Sequence, residues 1–232
     1  MSTLLGMSGA LALVGGAAAG AVIGVPARRW LDRGEHRYDD ETDLARRRHG
    51  WVLPIAVVAA ALAAWAQSAR PAYAVVVACA VAGLVVLVAI DIDVRRLPDR
   101  FTKPAWVVVP VALAGAALID GAWESLWSAL IGGLVTGVIY LVVVVVGALF
   151  GSAGMGMGDL KLSPSLGALI GFVGWPLSVL AVFATFLVGG LWAIALLVSG
   201  RAGRKSSIAF GPMMAVGSWL VLLLPVLGLL AG

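Results

Sequence analysis

Apolar runs of about 20 residues recur along this chain, at 4–25, 51–67, 72–90, 105–119, 126–150, 162–175, 177–198 and 208–230. A run of that length matches a hydrocarbon core about 30 Å thick. In that medium every backbone N–H and C=O must be satisfied within its own segment, so each run is expected to be a helix. Composition agrees: 62% of residues are hydrophobic and 12% charged, against about 25% charged in soluble domains. Mean hydropathy is +1.05. The expected fold is all-α, a polytopic membrane protein of about eight transmembrane helices. Cys79, the one cysteine, lies inside an apolar run, so neither an internal disulfide nor a paired-cysteine metal or redox site is available.

Lys and Arg are distributed unevenly between the intervals separating the runs. Fifteen of the sixteen fall in alternate intervals, 26–50, 91–104, 151–161 and 199–207. By the positive-inside rule these four are expected on the cytoplasmic side and both termini on the other. An odd number of spans would break the alternation. Small-residue spacings, Gly16/Gly20/Gly24, Gly133/Gly137 and Gly167/Gly171, read as helix-packing sites. The weakest division between runs is at Gly174, Trp175 and Pro176.

Of the twelve acids, Asp32, Glu35, Asp39, Asp40, Glu41 and Asp43 share the 26–50 interval with seven basic residues. They read as a solvated face, with His36 and His49 among them. Asp120 and Glu124, in a short turn, also read as solvated. Four acids remain where apolar runs stop: Asp91, Asp93, Asp99 and Asp159. Acids at a membrane boundary are costly and are functional candidates by default. Asp159 follows Gly151, Gly154, Gly156 and Gly158, which free the backbone for close approach. The flanks are membrane spans and no GK[ST] follows, which disfavours a nucleotide loop. Two carboxylates brought together at a low-dielectric boundary cannot both ionise cheaply, so they can share a proton and activate water. Such chemistry needs no metal and no cofactor, and none is expected.

The segments IDIDVRRLPD, GMGDLKL and IAFGPMMAVG, in that order on an eight-span frame, resemble the type IV prepilin peptidase family, membrane aspartic proteases of GxGD type. The resemblance runs from about residue 72 to the C-terminus. It implies cleavage of the short basic leader of prepilins and pseudopilins, after a glycine, on the cytoplasmic side. The family's first catalytic aspartate stands seven positions before the proline of its LP[DN] element, which implies Asp91 ahead of Pro98. Its second is the GxGD aspartate, here Asp159 after Gly156 and Gly158. Asp93 and Asp99 then take support or leader-binding roles, and Lys161 matches a basic position that either holds one carboxylate ionised or snorkels to the interface. Phe210, Gly211 and Pro212 match an FGP element that shapes the cleft.

On this reading residues 1–232 form one membrane peptidase domain, with a cytoplasmic loop at 26–50 and the peptidase core at 72–232. The expected partners are prepilin or pseudopilin precursors and the lipid bilayer, with no nucleic acid, and the expected location is the inner membrane. Many bacterial members carry paired cysteines between spans 1 and 2 and methylate the new amino terminus. Here that interval is about 25 residues without cysteine, which leaves methyltransferase activity in question and gives no expectation of zinc. A transporter with ion-coupling acids, a non-catalytic scaffold for pilus or secretion assembly, and a presenilin-like intramembrane protease are competing readings.

Overall fold

The computed structural model describes residues 6–38, 41, 47–150, 155–200 and 209–227. Asp39, Asp40, Asp43, Gly151, Gly154 and the basic residues Arg46, Arg201, Arg204 and Lys205 lie outside the described residues, as do the far ends of the first and last expected runs. Eight α-helices and no strand occur among the described residues: α1 (Met7–Arg33), α2 (Val52–Ala66), α3 (Pro71–Val94), α4 (Asp99–Asp120), α5 (Trp123–Leu149), α6 (Met157–Gly171), α7 (Trp175–Val198) and α8 (Gly211–Leu222). Five of them, α1, α3, α4, α5 and α7, are long and apolar enough to cross a membrane. The chain is an all-α polytopic membrane protein.

The helix boundaries have local causes. α1 runs eight residues past the expected end of the first run and stops where Gly34, at φ 77°, turns its N–H back to the Leu31 carbonyl. α3 opens on Pro71, which lacks the N–H that a first helical turn leaves unpaired. The next two N–H groups, of Ala72 and Tyr73, donate to the Asp120 carboxylate at 3.1 and 2.9 Å. Asp120 is therefore a cap for a neighbouring helix, where a solvated acid was expected, because a helix start leaves donors that a carboxylate satisfies well. Glu124 is exposed, as expected. The weak division at 174–176 is real: α7 begins at Trp175 with Pro176 in its first turn. α8 ends well before the expected end at 230, ahead of Pro225, which lies in a 3-10 turn at Leu224–Leu227.

Two helix pairs pack through small residues. A Cβ at Gly20 would stand 2.6 Å from the Ala56 carbonyl of α2, and one at Gly167 would stand 2.5 Å from the Gly132 carbonyl of α5. Backbones that close exclude any side chain, so the glycine spacings in the sequence mark helix contacts. α6 is the most enclosed helix: Leu162, Ser163 and every residue from Ser165 to Gly171 are buried. At one end of the bundle Gln67 donates to the Leu222 carbonyl and Tyr73 to the Leu169 carbonyl. At the other end gather the C-terminal ends of α1 and α3 and the N-terminal ends of α4, α6 and α8.

Candidate functional site

Asp91 sits one turn from the C-terminal end of α3 and is buried, with 5% of its surface exposed. Its Oδ2 accepts the Gly211 N–H at 2.9 Å, the first N–H of α8. Gly211 has to be glycine for this contact: a Cβ there would lie 2.7 Å from the same oxygen. Phe210 and Pro212 flank it as the cap and first turn of α8, and the Phe210 ring packs against Phe186 and Tyr140. The FGP element thus packs against Asp91 through Gly211.

Asp159 lies in the first turn of α6 and is 6% exposed. Its carboxylate accepts the Gly156 N–H at 3.2 Å while its own N–H donates to the Gly156 carbonyl at 3.1 Å, a reciprocal cap. Gly158 lets the chain pass Leu97, whose Cβ would be 2.7 Å from any added side chain. Asp91 is close enough to Asp159 to act on it electrostatically. Among the described residues neither carboxylate has an ion-pair partner. Tyr140 also interacts electrostatically with Asp159 and bonds Thr185. It was missed in the sequence, where it is one of three hydroxyl residues, with Ser128 and Thr136, in a long apolar run.

Asp93, two residues beyond Asp91, has a different environment. Arg37 donates to it twice, at 3.0 and 2.9 Å, and His36 Nε2 lies 2.6 Å from Oδ2. These contacts pin the turn after α1 onto the tip of α3. Beside them Arg96 donates twice to Glu41 and stacks over the Tyr38 ring. That pairing holds the Glu41 carboxyl below its ordinary range and the Arg96 guanidinium above its own. The solvated face expected for this interval is corrected at three points: His36 and His49 are 1% and 3% exposed, and Glu41 is paired. Asp32 is exposed as expected, although it accepts the His49 backbone N–H at 3.1 Å. The interval folds back onto the bundle because its Arg37 neutralises Asp93 and its Glu41 meets Arg96 at the end of α3, contacts that charge pattern alone does not reveal. Burial also pushes the His36 imidazole below its usual range, against the opposing pull of Asp93.

Lys161 pairs with Asp99 at 2.6 Å, and Asp99 pairs with Lys103 one turn away at 2.8 Å. Lys161 therefore answers a carboxylate other than Asp159. Pro98 caps α4 in an extended conformation that ends the short link from α3. Asp91, Asp159, Gly211 and Gly158 thus come together, while Asp93, Asp99 and Lys161 form separate ion pairs around them.

The sequence model of the type IV leader peptidase family matches residues 78–194, half of the chain, including Asp91 and Asp159. The chain belongs to that family. It is 31% identical over 143 residues to the prepilin leader peptidase/N-methyltransferase of Aeromonas hydrophila, covering 60% of this chain and 46% of that protein. The protein of the same name in Stutzerimonas stutzeri is 32% identical over 144 residues, covering 61% and 46%. The one from Neisseria gonorrhoeae is 33% identical over 139 residues, covering 60% and 44%. The chain spans less than half the length of these relatives. No solved structure matches it significantly.

Proposed function

We propose that this family member is a prepilin leader peptidase, an aspartic endopeptidase in which Asp91 and Asp159 are the catalytic pair. The observation that carries the reading is that these two carboxylates are buried at the same end of the bundle, with backbone N–H groups as partners and no neutralising cation among the described residues. A pair so placed shares one proton. The ionised member takes a proton from water, whose oxygen attacks the scissile carbonyl, and the protonated member gives its proton to the carbonyl oxygen. Collapse of the resulting diol breaks the C–N bond, and the expelled amine takes a proton as the leader leaves with a new glycine carboxylate. An apolar groove of about 710 Å³ between α2, α3 and α8, bordered by Ile92, the residue after Asp91, and by Pro212, supports the reading by offering room for an apolar stretch of substrate.

The substrates in this reading are prepilin or pseudopilin precursors. The distribution of positive charge supports an inner-membrane protein with the aspartate end of the bundle on the cytoplasmic side and both termini outside. The test is co-expression with a candidate prepilin, with the substrate's N-terminus followed by mass spectrometry. The intact protein is expected to remove the leader after glycine, and Asp159→Asn to leave it uncut although folded in the membrane. A fully active Asp91→Asn/Asp159→Asn protein would sink the assignment. The mass of the new terminus reports directly on methylation.

A further inference from the structure

We propose that His36, His49 and Asp93 form a binding site for a divalent transition-metal ion with zinc-like preferences, separate from the aspartate pair. One ligand atom of each lies within 4.8 Å of the others, and all three residues are buried. They come from three segments: the turn after α1, the stretch before α2 and the tip of α3. Two imidazoles and a carboxylate are a donor set suited to such an ion.

The independent observation is a deficit of partners. Nδ1 of His36 and both ring nitrogens of His49 are buried without a hydrogen bond. Buried polar atoms are rarely left so, and an ion or ordered water is the ordinary explanation. Asp32 stands 3.4 Å from His49 Nδ1, beyond hydrogen-bond geometry, and is itself fixed by the His49 backbone N–H and by Arg28. Metal-bound histidines commonly turn their second nitrogen to such an outer carboxylate. Arg37, on both oxygens of Asp93, is the corresponding outer partner there. Ligands about 2.05 Å from a tetrahedral ion lie about 3.3 Å apart, so His36 Nε2 and Asp93 Oδ2, now at 2.6 Å, need to part by less than an ångström if both bind. A bound ion would tie the 26–50 interval to the end of α3, two residues from Asp91.

The chain has only two histidines, which makes the test direct. Full-length protein in detergent, carrying no polyhistidine tag and stripped with chelator, is titrated with Zn²⁺, and bound metal is counted by mass spectrometry. One ion per chain is expected. X-ray absorption of the zinc-loaded protein should then show two imidazole ligands, a result that requires no variant. His49→Gln, which leaves the His36, Arg37 and Asp93 contacts in place, should retain helicity and lose at least about tenfold in affinity, and Asp32→Asn should lose about 10-fold to 100-fold. Failure of the intact protein to take up zinc, a coordination shell without two imidazoles, or undiminished uptake by folded His49→Gln would overturn the proposal. None of these readouts depends on peptidase activity.

Discussion

Asp91 and Asp93 stand two residues apart on the last turn and a half of α3, both buried, yet their surroundings are opposite. Asp93 is neutralised by Arg37 and contacted by His36, so its charge is spent on joining the 26–50 interval to the bundle. Asp91 has a backbone N–H and another carboxylate for company. A paired carboxylate is held in one protonation state and has little left to offer a substrate. One without a cation stays available for proton transfer. In this chain the two conditions are separated by a step along one helix, because residues i and i+2 face different neighbours.

That contrast can be broken at several points. The largest effect is expected at the unpaired acids: Asp91→Asn or Asp159→Asn should lower prepilin cleavage at least about 10³-fold, measured on protein of unchanged helicity. Asp93→Ala should act on stability instead. It removes the carboxylate contacted by two Arg37 donors and by His36, a loss of about 3–5 kcal/mol seen as a lower midpoint of thermal unfolding in detergent, with cleavage retained at low temperature. Gly211→Ala places a Cβ against the Asp91 carboxylate, and the resulting displacement should lower kcat about 10²-fold with folding intact. Lys161→Ala should change cleavage less than about threefold, since its pair with Asp99 is half exposed and screened. The smallest effect concerns Glu41. Its carboxyl is depressed by Arg96, so the pair stabilises the fold above the ordinary carboxylate range and loses that contribution as pH falls through the depressed value. Glu41→Gln should flatten the acid limb of the stability curve measured by thermal melts.

Much of this was legible in the amino-acid order. The number of helices, the division at Gly174–Pro176, the glycine contacts of α1 with α2 and α5 with α6, and the two aspartates at run ends all follow from local signals. The partners did not. Lys161 sits two residues after Asp159 and invites pairing with it, yet one turn of helix directs it to Asp99 on α4. His36 and His49 look solvated among charges, and both are buried.

The physical reason is the range over which each signal acts. An apolar run of given length in a bilayer has one way to satisfy its backbone, so the residues of that run alone dictate a helix and, through flanking Lys and Arg, a preferred orientation. Which carboxylate meets a cation, and which is left to meet another carboxylate, is decided between residues 56 to 120 positions apart, as Arg37 with Asp93 and Gly211 with Asp91 illustrate. Charge attraction at such separations in sequence has no periodicity to read. Only the packing of α3 against the turn after α1, α6 and α8 chose the partners that distinguish a structural acid from a reactive one.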